Sequence, residues 1–384
     1  MSLGCTTEFR IAAPHDDEWQ ALAAGLIPHS RFVTAAWIRA WGQCFLPHQN
    51  WLPPLRYLTV RAGDGQLLAV FPFATQRQSG FSIASLGGFY WPFRSPIIPE
   101  NSSAEAIAAL AAAFTRSRSI AALRYGPVPE TEAAIDSLSL ALENQGWRVH
   151  RASLGETYSV DLPGTWPQFE HRLSKKLRVD ASHDERKMRR DGDVDIRCTR
   201  NVPGPSWAAT VSDLGAVEAR SWQGKEGGKL RFFGDRNHAF WTSLLSSSGV
   251  ATKVSVWIMY FKNDPVSFCL CLDCGDVRHI VANNYAEEVR RYGTGSILYK
   301  CVFRDAIESG SIRRVNIGMG DPGYKSRWGA HPSFKLVDWI AFQPRMRGRL
   351  LGVAYALRQH VRNRRDPQDG AHAPLTPACD AQVR

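Results

Sequence analysis

The sequence predicts a mixed α/β chain of two tandem lobes, each a mostly antiparallel sheet flanked by helices. Three observations support this. In the first half, two strands (residues 55–61 and 66–75) flank Ala62-Gly63-Asp64-Gly65, a strong hairpin signal. Near the middle, Leu162-Pro163-Gly164-Thr165-Trp166-Pro167 punctuates the chain. After it, three strands with short turns (254–261, 266–273 and 277–285) lead through a glycine loop into an amphipathic helix and another strand. The expected domains are a first lobe over 1–161 and a linker with a charged helix over 162–206. A second lobe over 207–344, a basic amphipathic helix over 345–365 and a disordered tail over 366–384 follow.

With 384 residues, 44% hydrophobic and 22% charged, the chain has the length and balance for a large core. No run of about 18 apolar residues occurs, so no membrane-spanning helix is expected. The start of the chain lacks the charged and apolar segments of a secretory signal. Eight cysteines (Cys5, Cys44, Cys198, Cys269, Cys271, Cys274, Cys301 and Cys379) are scattered, as free thiols in a reducing cytosol would be. A cytoplasmic location is expected. Net charge is +11, yet seven arginines and no acid stand within 345–365. The body is only mildly basic, and no nucleic-acid partner is expected.

Taken in order, residues 31–45 read as an amphipathic helix carrying Trp37 and Trp41. After the hairpin, Gly87-Gly88 within the aromatic stretch 85–91 reads as a tight bend. Residues 104–117 form an alanine-rich helix, 121–126 a strand, 131–145 a helix stopped by Gly146, and 147–161 one or two strands. Thr165 can cap the next helix and Pro167 suits its first turn. That helix, 168–190, is mostly charged, with Leu173, Leu177 and Met188 as apolar anchors. Asp180, Asp184 and Glu185 interrupt its positive charge, so a solvated connecting helix is the better reading. Residues 201–206 read as a loop, and helices over 211–219 and 238–248 precede the meander. Cys269 and Cys271 alternate along a strand without zinc-spaced partners; they read as buried thiols, and no metal is expected.

The meander ends in Arg290-Arg291-Tyr292-Gly293-Thr294-Gly295-Ser296. Ile297, Leu298, Cys301, Val302, Ala306 and Ile307 then share one helical stripe. Gly310 suits that helix's stop. Residues 314–317 form a short strand, closed by Gly318-Met319-Gly320-Asp321-Pro322-Gly323, and 334–342 a final one. A helix N-terminus leaves backbone N–H groups unpaired and carries partial positive charge. Two glycines let that backbone approach an anion, and arginines add charge. A phosphate or pyrophosphate is the natural guest. Taken alone, however, the loop is better read as a plain glycine turn capped by Ser296, because short glycine motifs recur by chance.

Its place in the order of elements changes that reading. Helix, helix, three antiparallel strands, R-x-x-G-x-G loop, helix, strand resembles the layout of the GNAT acyltransferase superfamily. Arg290, Gly293 and Gly295 match that superfamily's pyrophosphate loop. More narrowly, Glu218-Ala219-Arg220-Ser221-Trp222-Gln223-Gly224, Tyr292 to Ser296, and Asn316 to Gly329 resemble the two-lobed branch of CelD-type cellulose-biosynthesis proteins, related to Fem-type aminoacyl transferases. The resemblance covers roughly residues 211–342. It is weaker over the first half, where it suggests a degenerate GNAT-like lobe without the loop motif. It implies an acyltransferase with acetyl-CoA or another acyl-CoA as co-substrate, its pantetheine arm between two splayed strands. An amine or hydroxyl of a small-molecule or saccharide acceptor would attack directly, in polysaccharide biosynthesis. Two alternatives are a Fem-like aminoacyl transferase and a non-catalytic scaffold of a polysaccharide-synthesis complex.

Under this resemblance Asn283, Arg290, Arg291, Tyr292, Gly293, Thr294, Gly295 and Ser296 hold the CoA. Asp321, Tyr324 and Glu218 are the catalytic candidates, Asp321 to accept a proton and Tyr324 to donate one to the leaving thiolate. Trp222, Tyr285, Lys325 and Trp328 are candidate acceptor contacts. Asp321 and Tyr324 equally suit a glycine-rich turn held by its own side chains, and Glu218 and Trp222 a packed helix end. Cys301 lies on the buried stripe and is not read as a nucleophile. In the basic helix, Leu350, Ala354, Leu357 and Val361 form an apolar seam, with Arg347, Arg349, Arg358, Arg362 and Arg365 on the remaining surface. Such a helix either packs on the body or lies on an anionic membrane, which would place the protein at the inner membrane surface.

Overall fold

Two strand-and-helix alternations follow one another along the chain. The computed structural model describes residues 5–27, 30, 34–46, 51–78, 80–88, 94–200, 207–227, 230–247, 253–321 and 323–365. The loop expected over 201–206, the tail over 366–384 and most of the aromatic stretch after Gly88 lie outside them. The elements are β1 (Thr6–Arg10), α1 (Asp16–Ala23), α2 (Ala35–Phe45), β2 (Trp51–Arg61), β3 (Leu67–Gln78), β4 (Phe81–Leu86) and α3 (Ala104–Arg116). Next come β5 (Ala122–Arg124), β6 (Val128–Pro129), α4 (Ala133–Asn144), β7 (Arg148–Asp161), α5 (Trp166–Arg172), α6 (Lys175–Asp191) and β8 (Val194–Arg200). Then follow α7 (Trp207–Arg220), α8 (Trp222–Lys225), α9 (Asp235–Leu245), β9 (Val254–Phe261), β10 (Asp264–Cys274) and β11 (Val277–Tyr285). A 3-10 turn (Glu287–Tyr292), α10 (Thr294–Glu308), β12 (Arg314–Met319), β13 (His331–Phe342) and α11 (Met346–Arg365) complete the chain.

These elements form two units, residues 1–156 with 334–384, and residues 157–333. In the first, β1, β2, β3 and β4 run antiparallel, β5 joins β4 in parallel, and β13 joins β5 antiparallel. In the second, β8, β9, β10 and β11 run antiparallel, β12 joins β11 in parallel, and the end of β7 joins β12 antiparallel. One strand plan is thus used twice. A helix makes each parallel crossover, α3 in the first unit and α10 in the second, as parallel neighbours require.

Local chemistry explains the main boundaries. At the first hairpin Gly65 takes a positive φ of 89° and the Gln66 N–H donates to Asp64 Oδ1 at 2.9 Å. Thr34, Ser103 and Ser174 cap α2, α3 and α6 by accepting from N–H groups three residues on. The cap at Ser174 also splits the single helix expected over 168–190 into α5 and α6.

Two domain expectations differ from what the chain does. Residues 162–200, expected as a linker with a charged helix, are built into the second unit. Leu177 and Met188 of α6 are buried in the second unit's core, and β8 is an edge strand of its sheet. The final strand belongs mostly to the first unit, where Val337 and Ala341 join the core of Phe71, Phe73, Leu110 and Phe114.

The second core packs α10 on the sheet through Leu298, Val302, Phe303 and Ala306. A buried charge reinforces this. Arg278 of β11 donates to Asp273 at 2.8 Å and to Asp305 of α10 at 2.7 Å, and also to the Val302 carbonyl. Replacing both Asp273 and Asp305 would leave the guanidinium buried without a counter-charge, at a cost of about 3–5 kcal/mol.

In the first unit Glu132 is buried, accepting from the hydroxyls of Ser95, at 2.9 Å, and Ser30. Burial pushes its carboxyl up to about 7, although both hydroxyls pull it down. The folded chain therefore holds this proton more tightly than the unfolded chain. That contribution to stability falls as pH rises from about 4.5 to about 7 and is constant above. Glu132→Gln is expected to raise the thermal midpoint at pH 8 and flatten its decline between pH 5 and 7. An identical pH profile in the variant would refute the assignment.

Candidate functional site

Strands β11 and β12 pair at Val277↔Arg314, Arg278↔Val315 and His279↔Asn316. Beyond that point both continue, yet no further pair joins them among the described residues. Each has a local reason to leave. In β11, Leu270 faces Ala282 while Cys271 faces Ile280, so Val281 is the extra residue of a bulge. Its carbonyl accepts from Arg231 Nη1 at 3.0 Å. In β12, Asn316 donates to Ser159 Oγ at 3.2 Å and accepts from the Gly318 N–H at 3.0 Å, and Gly318 turns with φ 81°.

Beside the end of β11 that has parted from β12 lies a cavity of about 410 Å³. Asn283, Asn284 and Tyr285 line it from β11, and Phe268 and Cys269 from β10. Helix α10 adds Gly295, Leu298 and Tyr299, which share one face at spacings of three and four. Trp222, Gln223 and Tyr324 complete the wall.

The cavity meets the start of α10 at Thr294, ahead of the Ser296 read as a cap. Gly293 joins it to the preceding 3-10 turn in the left-handed region, φ 56° and ψ 34°. A Cβ there would also come within 2.7 Å of Asp184 Oδ2. No side chain caps the helix; the Ser296 N–H turns back to the Gly293 carbonyl at 2.9 Å, which leaves the N–H groups of Thr294 and Gly295 as the ones to satisfy. A Cβ on Gly295 would meet nothing within 4 Å. Gly295 is thus bare backbone at a cavity wall, beside the positive end of a helix of 15 residues.

The remaining loop residues divide. The Arg290 and Arg291 side chains are mostly exposed, near Glu287 and Asp191 at 3.4 and 3.7 Å, and outside the cavity lining. Tyr292 is buried and donates to Asp191 Oδ2 at 2.8 Å, fastening the turn to α6. Thr294 is buried and Ser296 half-buried.

Two carboxylates expected to be catalytic are occupied by backbone. Glu218 is buried and accepts from the N–H groups of Arg231, Phe232 and Phe233, at 2.8, 2.7 and 3.1 Å, fixing the segment that carries Arg231. Asp321 accepts from the N–H groups of Gly323, Lys325 and Ser326, at 2.8, 3.0 and 3.1 Å. Burial opposes the effect, but these donors hold its carboxyl below the usual range, so it is a poor base. Lys325 is buried, its ammonium donating to the Met319 carbonyl at 2.8 Å; burial lowers it to about 8. Trp328 is a core residue stacked on Phe303. None of the four lines the cavity.

The rest of the Glu218 motif also has structural work. Arg220 pairs with Asp264 and with Glu288, linking α7 to the turn before the loop. Ser221 Oγ accepts from Asn284 Nδ2 at 3.1 Å. A Cβ on Gly224 would come within 2.2 Å of the Ala219 carbonyl.

What remains at the wall is neutral. Asn283 Nδ2 donates to Tyr299 Oη at 3.2 Å, and the Tyr299 and Tyr324 rings lie 6.2 Å apart. Burial raises both phenols, so each keeps its proton at neutral pH. The Cys269 thiol is also held high, by its hydrogen bond with Cys271 and by burial. Burial likewise lifts Cys301 to about 11, as its place on the packed stripe suggested. Neither thiol is an activated nucleophile. Among the described residues no group of three or more His, Cys, Asp or Glu could hold a metal ion. Sequence reasoning missed Tyr299, Asn284, Gln223, Phe268 and Cys269 as wall residues. The usable signal was Tyr299 four places after Gly295, on the same helical face.

Residues 175–326 match the family described as an acetyltransferase (GNAT) domain. The second unit therefore carries an acyltransferase domain. The chain is similar in fold to the crystal structure of FemX, with 10% identity over 88% of this chain and 98% of that one, and a TM-score of 0.58. It is also similar to L-PGS from Bacillus licheniformis, with 14% identity over 86% and 92% and a TM-score of 0.51. At such identities the likeness is one of fold. No curated protein matches the chain in sequence.

The two loop glycines should behave differently. Gly293→Ala is expected to lower unfolding free energy by about 1–2 kcal/mol, the penalty of a side chain in the left-handed region. Gly295→Ala should be neutral or stabilising by up to about 1 kcal/mol. Urea titration of both variants checks this, and equal losses would contradict the loop geometry.

Proposed function

We propose that the second unit moves an acyl group from acetyl-CoA or another acyl-CoA to an amine or hydroxyl of a small-molecule or saccharide acceptor. One observation carries the reading: bare backbone at Gly295, on an uncapped helix start, faces a cavity lined by the end of β11 that no longer pairs with β12. The acyl-CoA supplies an activated thioester. Thr294 and Gly295 amides would hold its pyrophosphate, with Arg290 and Arg291 as outer charge. The free edge of β11 offers backbone partners to an extended amide-bearing arm. Asn283 donates to Tyr299 Oη, leaving the Tyr299 proton to be offered to Tyr324 Oη, its hydrogen-bond neighbour. Tyr324 then turns its own proton into the cavity, where it can be given to the leaving thiolate as the C–S bond breaks, and the proton that the acceptor's N–H or O–H loses on forming the new acyl bond restores the phenol. Trp222 and Tyr285 form the acceptor side of the wall. A place in polysaccharide biosynthesis, at a CelD-type protein's position, belongs to the same reading.

Calorimetry with acetyl-CoA tests the donor. Gly295→Asp is expected to weaken binding at least tenfold (about 1.4 kcal/mol) without lowering the thermal midpoint, because its side chain enters open space. Absence of binding to the intact chain would reject the reading in favour of a Fem-like donor, an aminoacyl-tRNA. Binding without turnover across amine and hydroxyl acceptors would favour the scaffold alternative.

The proton donor is tested by Tyr324→Phe. This change should lower kcat by about a hundredfold with KM nearly constant. Near-normal turnover would remove Tyr324 from the chemistry.

A further inference from the structure

Helix α11 has two unlike faces, and the first unit uses only one. Gly348 and Gly352 allow close packing: a Cβ on the former would come within 2.2 Å of the Gln343 carbonyl, and on the latter within 3.2 Å of the Phe342 ring. Leu351 and Tyr355 pack on Ile83, Ala122 and Phe342. The other face carries Met346, Leu350, Val353 and Leu357, which are 75, 56, 50 and 62% exposed. At about 100° per residue these four fall within an arc of about 60°. Of the seam expected from sequence, Leu350 and Leu357 lie on this stripe, Ala354 stands beside it, and the Val361 side chain lies outside the described residues. Single exposed leucines need no explanation, but a contiguous stripe does.

We propose that this stripe docks on an anionic lipid surface. Arg347 and Arg358 flank it on one side and Arg349 on the other, and no acid occurs between residues 345 and 365. Arginine rims pair with phosphate headgroups, while apolar side chains enter the acyl boundary. The same rim disfavours a second copy of the chain, since a two-fold contact would set arginines against arginines. No helix among the described residues is long and apolar enough to cross a membrane, so α11 would lie in the interface plane.

Vesicle flotation of the full chain tests the proposal. The chain is expected to float with phosphatidylcholine vesicles containing about 30% phosphatidylglycerol, and not with phosphatidylcholine alone. Leu350→Glu with Leu357→Glu should cut the bound fraction at least about tenfold at an unchanged thermal midpoint, since both side chains are exposed. Arg347→Glu with Arg349→Glu should weaken binding and reduce its salt dependence. The proposal is overturned if the chain fails to float with anionic vesicles or if the leucine variant floats undiminished. A concentration-dependent dimer broken by the leucine variant would overturn it too, assigning the face to a second copy. No CoA or acceptor enters these assays, so their failure leaves the acyl-transfer reading untouched.

Discussion

Two parallel strands that stop pairing after His279 and Asn316 set the form of the site. Backbone groups released from a ladder must find other partners or meet water. The Val281 carbonyl takes Arg231, the Met319 carbonyl takes Lys325, and the N–H groups after Asp321 take its carboxylate. Charged side chains here serve the interruption.

This division explains why the wall of the cavity is neutral. Glu218 and Asp321 each face several N–H groups, and around Asp321 these donors hold the carboxyl below the usual range. Asn283, Tyr299 and Tyr324 form a different kind of group, with donors and acceptors in sequence and little net charge. A neutral wall suits a reaction in which both reactants arrive with their own reactive groups and need orientation more than covalent help.

Legibility in sequence followed pattern strength. The hairpin at Gly65, the meander β9 to β11 and helix α10 were readable because apolar periods of 2 and 3.6 are strong there. Strands β1 and β8 were not. The five residues of β1 are largely exposed, and β8 carries Asp195, Arg197 and Arg200 on an edge, where charge guards against stray pairing. At the site, Gly293 and Gly295 stood out, but their different duties depend on a φ angle and on Asp184, which lies far away in sequence. The roles of Glu218 and Asp321 stayed open because a carboxylate that caps backbone and one that abstracts protons look alike in a string of letters. Only the positions of neighbouring N–H groups separate them.

The borrowed strand β13 bears on how the chain is made. The second unit is one contiguous stretch and has all its strands once residue 333 has been synthesised. The first unit begins at the start of the chain, yet its sheet lacks the strand beside β5 until residue 342 emerges. Folding from the ribosome usually favours the N-terminal domain. Here the order of completion is reversed: the C-terminal domain can close first, and the N-terminal one waits with an open edge. Premature termination near residue 330 would therefore damage the first unit more than the second, although the lost residues lie at the opposite end of the chain.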